Sequence, residues 1–220
     1  MIFDWSYALS LLPLLAPALL ITVKATLAGM AIALSAGLLL ALARRAPSRA
    51  LAWTAAGFVE FVRSTPLLVQ LYFLFYVLPG AGITLSPFAT GALALGLHYA
   101  AYCSEVYRAG IESVPQGQWE AASALNFSRR DTLVRIILPQ ALARVVPALG
   151  NYLVAMFKDT PLLSAITVVE LLQTAKMIGS ETFRYIEPLT LVGLLFLALS
   201  LVSALGIRAL EGRLAQAVRA

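Results

Sequence analysis

The chain has 220 residues, 60% of them hydrophobic and only 12% charged, with a formal net charge of +5 and a mean hydropathy of +0.86. An average soluble domain is about 25% charged, and even a 300-residue domain buries only about three quarters of the surface its unfolded chain exposes. A soluble enzyme, a disordered regulator and a secreted disulfide scaffold are excluded, and the composition is that of an integral membrane protein.

Single residues narrow the chemistry. One cysteine, Cys103, rules out an internal disulfide framework and a Cys-based zinc site. One histidine, His98, rules out zinc motifs built on two histidines. No lysine stands in a phosphate-cradling P-loop. No resident metal or cofactor is expected, and with no nucleophile motif the chain itself is not expected to be an enzyme. The basic residues flank apolar runs, so they read as topology determinants rather than as a nucleic-acid surface.

A helix that crosses a membrane needs about 20 mostly apolar residues. Residues 5–19 are apolar but interrupted by Pro13 and Pro17, so 1–19 reads as an interfacial N-terminal segment. Asp4 and the lack of a basic leader argue against a signal peptide. Five spans follow in an all-α membrane domain covering 1–220, at 20–43, 51–78, 88–107, 145–169 and 188–207. Arg44, Arg45 and Arg49 follow the first span, and Arg108, Arg129, Arg130, Arg135 and Arg144 lie between the third and fourth. Arg208, Arg213 and Arg219 follow the fifth, while the opposite side holds only Lys176 and Arg184 beside Glu170, Glu181 and Glu187. The positive-inside rule then places the N-terminus outside and the C-terminus in the cytoplasm.

Small residues recur every four positions on two spans. Gly29, Ala33, Gly37 and Ala41 mark the first, and Ala92, Gly96, Ala100 and Ser104 the third. Such stripes let helix backbones approach closely in lipid. Tyr72, Phe73, Phe75 and Tyr76 suit an aromatic belt.

The loop 112–144 carries the most information. Gln116 to Leu125 reads as a short helix, and Asn126 tolerates the left-handed conformation that stops one. Ser128 with Asp131 three residues on resembles a capping box. A second helix runs to about Leu138, where Pro139 ends or kinks it. The small pair Ala121 and Ala122 suits a helix lying close against a partner protein; an ordinary amphipathic loop on the membrane face is the plainer alternative.

The spacing Glu120-Ala121-Ala122, three residues, Asn126, nine residues, Ile136, one residue, Leu138-Pro139 resembles the EAA loop of ABC importer permeases, which usually carry glycine where Asn126 stands. Phe61-Val-Arg63-Ser64-Thr65-Pro66-Leu-Leu-Val-Gln70 resembles the Arg-Gly-Thr-Pro-Leu-x-x-Gln segment of polar amino acid permeases, with Ser64 in place of glycine. Glu105-Val-Tyr-Arg108-Ala-Gly110 and Phe157-Lys158-Asp159-Thr160-Pro161-Leu162 are similar to that subfamily too. The wording around 82–87 and 150–158 resembles permeases for ectoine and hydroxyectoine.

The resemblance implies a five- to six-helix permease in a bacterial inner membrane. Its implied partners are a second permease chain, two cytoplasmic ATP-binding subunits and an extracytoplasmic solute-binding protein. Glu120, Ala121, Ala122, Leu125, Asn126, Arg129 and Arg130 would then couple to the ATPase.

Ionisable groups at membrane depth mark a cavity or a partner. Spans two and four each carry a polar interruption, at Arg63 to Pro66 and at Lys158 to Pro161, a pattern that points to a midplane site. Arg63 can take a carboxylate bidentately. Asp159 or Glu105 can receive a cationic end, and Ser64, Thr65, Gln70, Lys158 and Thr160 complete the candidate solute site. Alternatively, Arg63–Glu105 and Lys158–Asp159 are internal ion pairs that hold helices together. The same charges also allow a carrier driven by an ion gradient, although five spans are few for one. His98 reads as a hydrogen-bonded packing residue, and Cys103 as a small hydrophobe.

Overall fold

The computed structural model describes residues 3–219, with side chains through Gly212, and it is helical throughout. Arg213 and Arg219, expected to flank the last span, lie outside the described side chains. Helix α1 (Trp5–Ser10) starts at Asp4, whose carboxylate accepts from the Tyr7 N–H at 3.0 Å. Helix α2 (Leu12–Ala43) follows after one residue. The expected interfacial segment is thus divided, and its last eight residues are the first turns of α2. Pro13 falls in the opening turn, where a proline costs no hydrogen bond. Pro17 is carried inside the helix.

Helix α3 (Arg49–Arg63) is capped by Ser48, and α4 (Leu67–Tyr72) runs on through a π-helical turn and a 3-10 turn to Ala81. The two limbs meet at an angle of 106°. The expected second span is therefore a broken element, not one straight rod. Helix α5 is Pro87–Glu112, and α6 is Gln116–Ala124. Helix α7 (Arg129–Asp131) passes through a π-helical segment, Thr132–Ile137, into α8 (Leu138–Asp159). Of the two outcomes expected at Pro139, a stop or a kink, the helix does not stop but is distorted just before it. Its missing N–H and its ring disrupt one turn, and the wider π turn just before it takes up the mismatch. A 3-10 segment, Thr160–Ile166, precedes α9 (Leu171–Thr182) and α10 (Ile186–Arg219).

Three helical stretches among the described residues are long and apolar enough to cross a membrane: Leu12–Ala43, Arg129–Ile166 and Ile186–Gly212, with α3 and α4 a fourth if taken together. Helix α5 has the length of a span, about 39 Å at 1.5 Å per residue. It is more polar because it lies at the centre of the fold and carries His98, Tyr99, Tyr102 and Glu105.

Helices α2 and α5 pack along the two small-residue stripes, all eight residues of which are buried. A Cβ on Gly96 would lie 2.5 Å from Ile32 Cβ, and one on Gly37 would lie 2.7 Å from Cys103 Cβ. The backbones therefore meet at a distance that only glycine permits. Glu170, fully buried, caps α9 by accepting from the Leu172 and Gln173 N–H groups at 2.9 and 2.7 Å. The first N–H of α9, of Leu171, donates to Thr22 Oγ1 on α2 at 3.3 Å. Burial pushes the Glu170 carboxyl above its ordinary value, against the pull of those two donors and of Lys176.

Candidate functional site

The loop between α5 and α8 folds as a helix–turn–helix. Helix α6 ends in a pair of reversed bonds: Phe127 N–H donates to Ala122 O at 3.0 Å, and Asn126 N–H to Ser123 O at 3.0 Å. This is the Schellman stop, whose pivot must take a left-handed conformation. Asn126 sits there with φ of 57°. Ser128 Oγ accepts from the Asp131 N–H at 3.1 Å, and the Ser128 hydroxyl donates to the Asp131 carboxylate at 2.6 Å. The acid therefore reaches the capping hydroxyl rather than the backbone N–H that a capping box would use.

The two small residues of the loop face opposite ways. Ala122 is 1% exposed and turned onto its own chain, whereas Ala121, Glu120 and Leu125 are exposed. Trp119 packs against the cluster of Ile111, Val114, Ile137 and Ala141, which holds α6 on the ends of α5 and α8. The surface open to a partner is Glu120, Ala121 and Leu125, with Arg129 and Arg130 beyond the turn.

Residues expected in the solute site fall into two groups. The first serves the break between α3 and α4. Gln70 Nε2 donates to Val62 O at 2.8 Å, Thr65 O at 3.1 Å and Thr65 Oγ1 at 2.8 Å. The first of these supplies Val62 O with the donor that Pro66, four residues on, lacks. His98 Nδ1 lies 3.2 Å from Gln70 Oε1 and ties the break to α5, the packing role read for it. Thr65 Oγ1 donates to Phe61 O at 3.0 Å, and Ser64 Oγ to Glu60 Oε1 at 3.4 Å. Thr160 serves the other interruption: at the end of α8 it is buried and donates to Phe157 O at 2.7 Å.

The second group is charged. Glu105 accepts from Arg44 at 2.6 Å, Arg108 at 2.9 Å and Arg63 at 3.5 Å. In this arrangement its oxygens are taken, and the Arg63–Glu105 ion pair is present. No Lys158–Asp159 pair forms among the described residues. Lys158 is exposed in the last turn of α8, where the helix dipole favours a cation. Asp159 instead accepts from the Tyr99 hydroxyl at 2.7 Å.

Between Arg63 and Asp159 lies an aromatic cluster that the sequence reading missed. Tyr99, Tyr102 and Tyr152 have ring centroids 5.9 to 6.3 Å apart. The Arg63 guanidinium lies 5.6 Å from the Tyr102 ring centroid, within cation–π range. Arg63 thus meets the cluster at Tyr102 and Asp159 meets it at Tyr99. Tyr99 and Tyr102 sit three apart on α5, a pairing visible in the sequence. Tyr152 joins them from α8, and no local pattern announces it.

Comparisons agree with this architecture. Residues 33–216 match the family described as binding-protein-dependent transport system inner membrane component. A probable amino-acid ABC transporter permease protein, y4tG of Sinorhizobium fredii (strain NBRC 101917 / NGR234), is 48% identical over 94% of this chain and 90% of its own length. The L-cystine transport system permease protein TcyB of Bacillus subtilis (strain 168) is 38% identical over 86% of this chain and 83% of its own. A solved structure, described as an amino acid ABC transporter with histidines, is 32% identical and superposes with a TM-score of 0.90, covering 97% of this chain and all of that one. These relatives leave no place for a carrier driven by an ion gradient. The chain belongs to the binding-protein-dependent transport system inner membrane component family and is the non-catalytic membrane permease of an ABC importer.

Proposed function

We propose that the chain carries a polar amino acid or a related zwitterionic solute, with Arg63 and Asp159 as its two charged contacts. The observation that supports this is that both border one Tyr99–Tyr102–Tyr152 cluster, Arg63 over the Tyr102 ring and Asp159 at the Tyr99 hydroxyl. A planar guanidinium suits a carboxylate, Asp159 suits a cationic end, and the tyrosine faces suit the body between them. The named amino-acid relatives favour the same class. Ectoine, the cargo suggested by sequence wording, falls within it.

The working assembly in this proposal contains two permease chains, two cytoplasmic ATP-binding subunits and an extracytoplasmic solute-binding protein. The chain crosses the inner membrane five times with its N-terminus outside, α5 and the bent α3–α4 pair each serving as one crossing. The ATPase subunits grip the loop at Glu120, Ala121 and Leu125 and drive the permease between two states that differ in partner affinity.

The test is uptake by the assembled transporter in vesicles. Arg63→Ala and Asp159→Asn should each weaken apparent solute affinity at least about tenfold, the scale of one charged hydrogen bond. Unchanged affinity in both variants overturns the assignment.

A further inference from the structure

At the end of the fold away from the coupling loop, one aromatic side chain is held out from the surface. Phe183, in the turn between α9 and α10, is 80% exposed, and its φ is 55°. Asparagine and aspartate visit that left-handed region, but for a bulky residue it is an outlier that the surroundings must enforce. Thr182 Oγ1 accepts from the Arg184 N–H and from the Tyr7 hydroxyl, both at 3.3 Å. The Arg184 guanidinium lies 4.0 Å from the Tyr7 ring centroid and pairs with Asp4, at 3.7 Å, and with Glu187. Tyr185 lies over Gly179 so closely that a Cβ there has no room, and its hydroxyl is 3.1 Å from Ser180 Oγ. Side chains from α1, α9 and α10 thus fix a turn that leaves its own aromatic ring in the open.

Position selects the occupant. The buried face of α9, with Leu171, Ala175 and Ile178, packs on α1 and the first turns of α2. Leu42, near the far end of α2, packs instead in the cluster that holds Trp119 of the coupling loop. The 32 residues of α2 therefore set the α9–α10 turn about 48 Å from that loop. The exposed face of α9 carries Lys176, Met177, Ser180 and Glu181. Charges facing lipid are costly, so this mixture fits water and a protein rather than acyl chains. Phe and Met set among charged and polar groups have the composition of a protein interface.

We infer that this surface docks the extracytoplasmic solute-binding protein, with Phe183 as the anchor that enters a pocket on it. The family description makes transport depend on a binding protein, and the end remote from the coupling loop is the one the ATPase subunits leave free. A partner that docks and leaves in every cycle is served by an anchor already ordered, because little loop or side-chain freedom is lost on binding. The locked turn at Phe183 supplies that order. The inference rests on the proposed sidedness of the assembly and not on the identity of its solute.

The assembled transporter in nanodiscs is titrated with its purified, solute-loaded binding protein, and the ATPase rate is read against binding-protein concentration. Phe183→Asn removes the ring but keeps a residue that accepts the left-handed turn. It should raise the half-saturating concentration at least about tenfold, the scale for loss of an aromatic anchor. The basal rate and the rate at saturation should hold, and the melting temperature should not fall. Phe183→Gly repeats the test with no side chain to strain. An unchanged half-saturating concentration in both variants overturns the site. A lower melting temperature or basal rate without that shift gives the ring to lipid or to the second permease chain instead. Sidedness is read separately in spheroplasts: Glu181→Cys should react with an impermeant maleimide added outside, against a background in which Cys103 is buried. Labelling only after the membrane is opened overturns the proposed orientation and the docking with it. Labelling from outside with unchanged half-saturation overturns the docking alone.

Discussion

Arg44, at the end of α2, donates to the Glu105 carboxylate at 2.6 Å across 61 residues of sequence. Arg63 from α3 and Arg108 from α5 itself converge on the same group. One half-buried carboxylate therefore ties together the ends of three helices and keeps three guanidinium groups from repelling one another. Glu105→Gln removes that compensation while preserving shape. The expected loss is about 2 kcal/mol, the scale of hydrogen bonds to charged groups, reduced somewhat because the arginines are partly solvated. Thermal unfolding in detergent measures it, and an unchanged midpoint means the hub adds nothing to stability.

The close approach of α2 and α5 makes a sharper contrast. Gly96→Leu drives a side chain into Ile32, and overpacking of this kind costs about 1–3 kcal/mol or more. Gly57 on α3 has nothing within 4 Å of an added Cβ, so Gly57→Ala should stabilise by about 0.5–1 kcal/mol through helix propensity. Opposite shifts in melting temperature for the two variants are the expected result. Shifts in the same direction contradict the packing assigned to Gly96.

On the coupling loop, position decides the phenotype. Glu120→Lys changes an exposed charge and should leave the chain folded while uncoupling ATP hydrolysis from uptake. Ala122→Asp buries a carboxylate with no partner, which costs several kcal/mol, so it should lower yield and heat stability before it alters coupling. Asn126→Gly relieves the left-handed pivot, and Asn126→Val strains it by about 1–2 kcal/mol. Paired assays of ATPase rate and uptake, with yield as the folding control, separate the three behaviours.

Glu170 gives a pH signature. Its carboxyl is raised in the fold by burial, so the folded state holds a proton that the unfolded chain releases. The associated stability is complete below the ordinary value of 4.5 and is lost as pH rises from there through the raised value. Glu170→Gln cannot release that proton. Melting temperature should therefore fall less steeply with rising pH in the variant than in wild type over that window. Parallel curves contradict a raised Glu170.

Features written in local spacing were legible beforehand. The four-residue stripes marked packing faces on α2 and α5 because a period of four keeps small residues on one helix face, but that the two faces meet each other is a tertiary fact. Asn126 and Ser128 announced the turn because capping chemistry is local. Pro66 announced a break, but its 106° angle depends on Gln70 reaching back eight residues to Val62 and across to His98. Pro139 read as either an end or a kink, because spacing alone does not show the π turn that accommodates it. Arg44 read only as a topology marker, since its bond to Glu105 is a tertiary fact. Tyr152 escaped notice for the same reason: its neighbours Tyr99 and Tyr102 belong to another helix.

The glycine contacts between α2 and α5 also have a mechanical consequence. With Ile32 seated opposite Gly96 and Cys103 opposite Gly37, axial sliding of either rod would drive a branched side chain into a neighbouring Cβ. The pair behaves as a fixed spindle. Rocking of the permease would then fall where helical continuity is interrupted, and Ser64 to Pro66 and Thr160–Ile166 are two such places beside the α2–α5 pair.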